Sequence, residues 1–273
     1  TAIREAFKKH VVNMFKLAGF DEATATKKME AVMKIETAIA EKSYSAVEQR
    51  NPAANYHKMT VAELQNEFKG IDWNNYFAIL GINGLEELSV SQPEPLFEVS
   101  RIVSEESIQD IIAYLEWHVL DGSANELSDA FADESFDFYG RTLSGRKEQQ
   151  PRWKQAVSVV NNVLGEAVGQ MYVEKYFPAA AKERMVNLVK NLQVALGQRI
   201  DAQDWMSDNT KMRAHEKLNS FIVKVGYPDT WKDYTNLTID PAKSYTDNLM
   251  AANEFAWNDM IARKYGKPVD NTE

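Results

Sequence analysis

The stretch DEATATKKMEAVMKIETAIA, residues 21–40, decides the fold class. Its apolar side chains recur every three or four residues, which places them on one face of an α-helix. They are Ala25, Met29, Val32, Met33, Ile35 and Ile39. Asp21 stands just before them, where a carboxylate accepts hydrogen bonds from the first free amides of a helix. The pattern predicts a helix that runs from Asp21 to about Val47, before the Asn51-Pro52 pair, which disfavours helix.

Helical periodicity returns on both sides of this stretch. Upstream, a helix is predicted from Ala2 to Leu17, ended by Gly19. It is expected to form an antiparallel hairpin with the helix that begins at Asp21. Further long helices are predicted downstream, at Pro151 to Phe177, Ala179 to about Met206 and about Pro241 to Tyr265. Two glycines, Gly165 and Gly169, would allow close helix approach.

Shorter helices are expected between the hairpin and residue 151. Thr60 and Glu63 have the spacing of a capping box, and Asp72 is a second predicted cap. Ser104 is expected to open a helix that ends at Gly122. Its predicted core face is Ile108, Ile111, Ile112, Leu115 and Val119. A further helix is predicted from about Asn125 to Tyr139.

Two prolines, Pro93 and Pro95, argue against a regular helix between Glu87 and Val99, where a brief extended segment is expected instead. The predicted fold is therefore all-α, an irregular multi-helix lobe with two or more long helices and few or no strands. We expect a single lobe over residues 1–273, with possible sub-lobes 1–145 and 146–273.

Composition excludes several classes of function. The net charge of −9 argues against a nucleic-acid partner, which needs a positive field at its binding surface. No apolar stretch reaches the roughly 18 residues that suggest a membrane-spanning helix. The chain has no cysteine, which excludes disulfides, thiolate catalysis and thiolate metal sites.

Catalytic motifs are missing as well. A helical zinc protease needs His-Glu-x-x-His, because this spacing puts both imidazoles on one face of a helix. The four histidines, His10, His57, His118 and His215, are far apart in the sequence. We therefore predict no catalytic, cofactor-binding or metal-binding residue in this chain. His57 and His118 are interpreted as structural, although His57 lies in a predicted loop where it could contact a ligand.

Aromatic side chains offer a weaker alternative. Trp73, Tyr76 and Phe77, and the cluster around Trp153, could line a peptide-binding cleft. Packing in a core explains them equally well and is the default interpretation.

Several stretches resemble the N-terminal part of the neprilysin family of zinc metallopeptidases. They include Tyr56–Leu64 (YHKMTVAEL), Arg152–Lys154 (RWK) and Val225–Asp229 (VGYPD), and weaker likenesses continue in family order along nearly the whole chain. Because the chain has no cysteine, it looks more like the bacterial, PepO-type branch of the family than the disulfide-rich secreted animal members.

The resemblance implies a helical lobe that closes over a zinc lobe and limits entry to the substrate chamber. The family's zinc and catalytic residues lie in a later part of the polypeptide, so none is transferred to a position here. Zinc, the C-terminal zinc lobe and oligopeptide substrates are therefore expected for the full-length parent, with this chain alone inactive. A bacterial, extracytoplasmic location (periplasmic or cell-surface) is expected, with a cytoplasmic one as the alternative.

A different class of function remains open. The chain could be a non-enzymatic helical scaffold or peptide-binding module. Such a module would have a polar, self-contained surface, whereas a lobe separated from its partner should expose an apolar patch.

Overall fold

A computed structural model describes residues 1–271 of the chain. In these residues the regular structure consists of helices and one two-stranded sheet, so the predicted all-α class is confirmed. The residues fall into two compact units. The first contains residues 1–150 and 242–247, and the second contains residues 151–241 and those from 248 onward. The single lobe over 1–273 with sub-lobes 1–145 and 146–273 stays a prediction.

The first unit contains seven α-helices and the sheet. The helices are α1 Ala2–Leu17, α2 Glu22–Lys42, α3 Val61–Glu67, α4 Trp73–Ile79, α5 Pro93–Glu105, α6 Ile108–Gly122 and α7 Asp129–Ser135. Strand β1, His57–Thr60, pairs antiparallel with β2, Glu87–Val90. Helix α7 continues directly into a π-helix, Phe136–Leu143, a conformation that is rare beyond a single turn.

The main core of this unit lies between α1, α2 and α6. Phe15 of α1, Val32 of α2 and Trp117 of α6 are almost completely buried in one cluster. Phe7 meets the Trp117 ring edge to face, with ring centroids 5.6 Å apart. The apolar periodicity of residues 2–40 therefore acts as predicted, because both helices turn their stripes into one core.

A second, smaller core lies between the strands and helices α3 to α5. It contains Leu64, Phe68, Trp73 and Val90, and the Trp73 indole donates a hydrogen bond to the Phe68 carbonyl at 2.8 Å. The predicted helix caps are present here, since Thr60 and Glu63 form a complete capping box. Asp72 likewise accepts from the amide of Asn75.

The prediction that Pro93 and Pro95 preclude a helix was wrong. Pro93 is the first residue of α5, and both prolines lie in its first turn. An amide there has no carbonyl partner within the helix, so a proline loses nothing and its fixed φ favours the start. The expected extended segment is confirmed only for Glu87–Val90.

The predicted start and core face of the next helix were also wrong. Ser104 belongs to the end of α5 and donates to the Ser100 carbonyl, whereas Ser107 caps α6 by accepting from the Asp110 amide. The buried residues of α6 are Ala113 and Trp117. Four of the five predicted core residues are exposed instead: Ile108, Ile112, Leu115 and Val119.

Two predicted helices of the first unit differ from the structure. Helix α2 stops at Lys42 rather than near Val47, because Ser43 is extended and the Tyr44 amide donates to the side chain of Gln92. The helix expected from Asn125 to Tyr139 is replaced by a short 3-10 turn, α7 and the π-helix.

The second unit contains α8 Arg152–Val163, α9 Gly165–Tyr176, α10 Ala179–Asp201, α11 Asp208–Asn219 and most of α12 Tyr245–Lys264. The helix predicted from Pro151 to Phe177 is broken at Leu164, whose ψ of 33° leaves the helical region. Helix α10 ends at Asp201 rather than near Met206, and α12 begins at Tyr245 rather than near Pro241.

The non-helical segment after Gly226 is held against three helices of the second unit. Trp231 lies beside Gly169 of α9, where a Cβ would meet its ring at 3.3 Å. The Glu166 carboxylate accepts from the Lys232 amide at 2.6 Å. Lys182 of α10 donates to the Tyr227 carbonyl at 2.8 Å, and Lys232 pairs with Asp259 of α12 at 3.0 Å. These contacts fix the segment although it has no regular structure.

Candidate functional site

The second unit exposes apolar side chains along three consecutive helices. Neither α8 nor α9 contains a buried residue, and α10 buries only Gly197 and Ile200. The exposed residues, here called the apolar surface, are Trp153, Val157, Val160, Met171, Tyr172, Tyr176, Met185, Leu188, Leu192, Val194 and Leu196. Where exposed apolar side chains form a continuous patch, the patch marks an interaction site.

A second set of exposed apolar residues lies in the first unit. Ile108, Ile112, Leu115 and Val119 follow one face of α6, because residues three or four apart are neighbours on a helix. The opposite face of α6 packs in the core through Trp117. Helix α6 is therefore apolar on two faces and buries only one within its unit.

A polar cluster surrounds the buried side chain of His10. The His10 side chain is 1% exposed. Its Nδ1 atom lies 3.0 Å from Glu134 Oε1, and its Nε2 atom lies 3.3 Å from Asp121 Oδ1. The remaining carboxylate oxygens accept from the Asn13 amide at 3.0 Å and from the Tyr139 hydroxyl at 2.7 Å. The cluster thus joins α1, α6, α7 and the π-helix.

Two tyrosines beside carboxylates have perturbed acidity. Burial and the hydrogen bond to Asp121 raise the pKa of Tyr139 well above its usual range. Burial and the neighbouring Glu36 carboxylate raise the pKa of Tyr114 to about 12. Both phenols therefore stay protonated at neutral pH and act as hydrogen-bond donors.

The other histidines occupy separate places. His57 Nδ1 donates to the Val90 carbonyl at 2.9 Å across the strand pair. His118 is half exposed and lies 3.4 Å from Glu36, and His215 lies 2.7 Å from Asp201. The structure therefore brings no two histidines together, and it gives His57 and His118 structural partners.

The aromatic residues considered for a cleft have different environments. Trp73 is buried in the smaller core, as the default interpretation predicts, whereas Tyr76 of the same helix is about half exposed. Trp153 is 64% exposed and belongs to the apolar surface. The Trp153 region is thus an outer surface rather than a core.

An open groove of about 620 Å³ runs between α1 and α2. Its lining includes Arg4, Lys8 and Lys34, with Met29 and Met33 between them. Lys8 and Lys34 are engaged by Glu5 and by Glu106 and Asp110. Two of the three cations in its lining are therefore paired with carboxylates.

The described residues do not fit a zinc site. Zinc in proteins takes three or four side-chain ligands from His, Cys, Asp or Glu. Within residues 1–271 no group of three or more such side chains is placed to hold a metal ion. In the cluster of His10, both ring nitrogens are taken by carboxylates. The expected absence of catalytic and metal-binding residues stays a prediction.

Comparison with known proteins agrees with this fold and its family resemblance. A model of peptidase family M13 matches residues 1–228. The chain belongs to peptidase family M13. Among curated M13 relatives, Neprilysin-2 of Drosophila melanogaster is 28% identical over 98% of this chain. The neutral endopeptidase of Lactobacillus helveticus is 26% identical over 89% of it. The predicted membership of the neprilysin and PepO family is thereby confirmed.

Solved M13 structures cover the chain completely. The zinc metalloprotease Zmp1 of Mycobacterium tuberculosis in an open state matches with a TM-score of 0.91 and 36% identity. Its complex with an inhibitor matches with a TM-score of 0.88 and 35% identity. PepO of Lactobacillus rhamnosis, at 21% identity and a TM-score of 0.82, shares the fold. These bacterial neighbours are consistent with the bacterial branch expected from the sequence.

The chain is much shorter than its M13 relatives. It spans 37% of Neprilysin-2 and 38% of the Lactobacillus helveticus endopeptidase, and 42% of the Zmp1 chain. Among the described residues, no helix combines the length and apolar character needed to cross a membrane.

Sequence reasoning missed the polar cluster around His10. Its partners Asp121 and Glu134 are 111 and 124 residues away in the sequence, so no local spacing predicts these contacts. The one available signal was a histidine on the apolar face of a helix, between Phe7 and Met14.

Proposed function

We propose that this chain is the helical capping lobe of a neprilysin-like zinc metalloendopeptidase that cleaves oligopeptides. It encloses the substrate chamber and limits the size of the peptides that enter. The catalytic and zinc-binding residues belong to a C-terminal zinc lobe of the same polypeptide, and this chain alone is inactive. The observation that carries the proposal is the match of the whole chain to 42% of the zinc metalloprotease Zmp1.

The apolar surface gives independent support. Among the described residues, the buried apolar side chains of the second unit are Ile200, Leu218 and Ala252. A unit with so small a core gains little free energy from burial. Further polypeptide packed on α8 to α10 would supply the missing burial. The exposed apolar face of α6 would also be buried by such packing. A self-contained binding module, the alternative function, would instead have polar residues at these positions.

The role of the lobe is exclusion and positioning rather than chemistry. When bound in the zinc lobe, zinc supplies Lewis-acid activation of a peptide carbonyl and of water. The residues of this chain would restrict access to that site, so that short peptides enter and folded proteins do not. The extracytoplasmic location of a bacterial parent stays a prediction.

Cleavage of a quenched fluorescent oligopeptide tests the proposal. The chain alone, supplied with zinc, is expected to show no cleavage that a chelator abolishes. The longer polypeptide encoded by the same gene is expected to cleave the peptide, to lose activity with chelator, and to leave a folded protein intact. The matched control is the longer polypeptide with the Glu of its His-Glu-x-x-His changed to Gln.

Two results would contradict the proposal. Chelator-sensitive cleavage by this chain alone would show that catalytic residues lie within it. A gene that encodes no His-Glu-x-x-His after Glu273 would remove the zinc lobe and leave the helical binding module.

A further inference from the structure

The loop between α4 and β2 contains Asn83-Gly84, the only place in the sequence where an asparagine precedes a glycine. Both residues are exposed, and residues 81–86 are neither helix nor strand. Gly84 has a φ of 72°, and a Cβ at this position would have nothing within 4 Å. The pair therefore lies open to solvent.

Hydrogen bonds hold the two ends of this loop but not the Gly84 amide. On the helix side, the Ile82 amide donates to the Phe77 carbonyl at 2.9 Å. On the strand side, the Val61 amide donates to the Glu86 carbonyl at 3.0 Å. In the part of the chain that the structure describes, the Gly84 amide donates to no protein acceptor. Its nitrogen can therefore react without breaking secondary structure.

An asparagine side chain is an electrophile that lies next to a backbone nucleophile. A bond between the Cγ atom of Asn83 and the backbone nitrogen of Gly84 would close a five-membered ring. At most asparagines this attack is hindered, because the next residue has a Cβ that crowds the nitrogen and its amide is held by a hydrogen bond. Gly84 has neither obstacle, and glycine adopts unusual backbone rotations more readily than other residues.

We propose that Asn83 is a site of spontaneous modification, at which its side-chain amide is converted to a carboxylate. The Gly84 nitrogen loses its proton to solvent and bonds to Cγ of Asn83, while the side-chain nitrogen takes up a proton and leaves as ammonia. Water then adds to either carbonyl of the resulting succinimide and opens the ring. The products are aspartate and isoaspartate at position 83, so the net change exchanges ammonia for water.

This inference does not depend on the proposed function, because it concerns one loop of the first unit. Both products add a negative charge near Glu86 and Glu87 in the sequence. Isoaspartate also adds one carbon to the backbone ahead of β2, in which Glu87 lies opposite Thr60 of β1. We expect a weaker strand pair in this product, because a longer connection disturbs the register. Urea unfolding beside Asn83→Asp, which adds the charge without the carbon, measures this effect.

Asn219 provides a comparison within the same chain. It precedes Ser220, whose side chain is also small, and both residues are exposed. The Ser220 amide, however, donates to the carbonyls of Glu216 and Lys217 at 3.1 and 3.2 Å. Attack on Asn219 therefore requires the end of α11 to open first, whereas attack on Asn83 requires no opening. Unfolding should accelerate the reaction at Asn219 by at least about threefold and that at Asn83 by less than about threefold.

Peptide mass spectrometry after incubation in 18O-labelled water tests the proposal. The natural protein is incubated at mildly alkaline pH, once folded and once in urea, and both samples are then digested in ordinary water. Because water supplies the new oxygen, label at position 83 records the reaction during the incubation. We expect this label in the folded protein and in urea alike. Label at position 83 in the urea sample alone would overturn the proposal.

Two variants test whether the ring forms. Asn83→Gln keeps an exposed amide but would have to close a larger ring, and Gly84→Ala places a methyl group beside the nucleophile. Both are expected to slow the labelling at least about tenfold, because attack depends on the close approach of the two atoms. Asn83→Gln leaves the backbone at Gly84 unchanged and is therefore decisive. Asn74→Gln, an exposed change on α4, is the control and should keep the full rate. An unchanged rate in Asn83→Gln would contradict the ring closure.

Discussion

Gly70 lies where the chain runs against helix α5. Its amide donates to the Ser100 hydroxyl at 2.9 Å, and a Cβ at this position would lie 2.2 Å from the Ser100 carbonyl oxygen. Gly70→Ala must therefore move the backbone, and we expect a loss of about 1–3 kcal/mol in the free energy of unfolding.

The control for this change is Gly122→Ala at the end of α6, where a Cβ would have nothing within 4 Å. It is expected to be neutral or to stabilise by up to ~1 kcal/mol. Urea unfolding of the two variants beside the natural protein measures both effects. Similar midpoints for the two would contradict the close approach at Gly70.

Glu63 makes part of the stability of the first unit sensitive to acid. Hydrogen bonds from the amide and then the hydroxyl of Thr60 lower the pKa of Glu63. This contribution is present above the unfolded pKa of ~4.3 and is lost as the pH falls through the lower, folded pKa. Glu63→Gln keeps the capping geometry but removes the titration, so it is expected to flatten stability in this acid range.

The measurement is the urea midpoint followed from about pH 6 down to about pH 3. Glu67→Gln, an exposed change at the end of the same helix, is the control and should keep the slope of the natural protein. If Glu63→Gln kept that slope as well, the capping carboxylate would not be responsible.

Local chemistry made the caps predictable at this scale. Asp21, Thr60 and Asp72 each accept from an amide three residues ahead, a contact that the sequence spacing contains in full. The contacts of His10 were not predictable, because they are made with carboxylates from distant elements.

Helix α1 packs in the main core through one face and exposes the other. Phe15 is completely buried in the main core, whereas Ile3 on the same helix is 55% exposed. Phe15→Ala is expected to lower the free energy of unfolding by about 3–5 kcal/mol. Ile3→Ala, the matched control, should change it by less than ~0.5 kcal/mol. Thermal and urea unfolding measure the difference, and a large effect of Ile3→Ala would mean that the helix packs differently.

Elements were predictable where one apolar stripe met one core. Helix α1 has its predicted bounds because its stripe and Gly19, with φ of 96°, agree. Helix α5 was missed because a proline is a breaker inside a helix and a starter in its first turn, and the sequence alone did not place that turn. Helix α6 has two apolar faces, and periodicity does not say which one packs within its own unit.

At the scale of the whole molecule, the apolar surface should govern solution behaviour. The isolated chain is expected to bind a hydrophobic dye and to associate as its concentration rises. Replacing Met171, Leu188 and Leu192 together by Gln should reduce both effects at least twofold. Lys190→Gln, an exposed polar change on α10, is the control.

Fluorescence titration and sedimentation give the two readouts. A monomer that binds no dye would argue against the capping lobe and for the self-contained module. In the sequence, only the resemblance to the neprilysin family distinguishes the capping lobe from the self-contained module, because the apolar stripes of α8 to α10 fit a buried core equally well.

Helix α12 has a consequence for how the chain is made. Its first residues, with residues 242–244, belong to the first unit, while the rest of the helix belongs to the second. Within the first unit, Thr246 donates to the Glu126 carbonyl at 3.3 Å. A ribosome adding ~5–20 residues per second needs about 5 to 20 s more after residue 150 to deliver residue 242. Most of the first unit is therefore translated early, but the unit lacks residues 242–247 until most of the second unit has been synthesised.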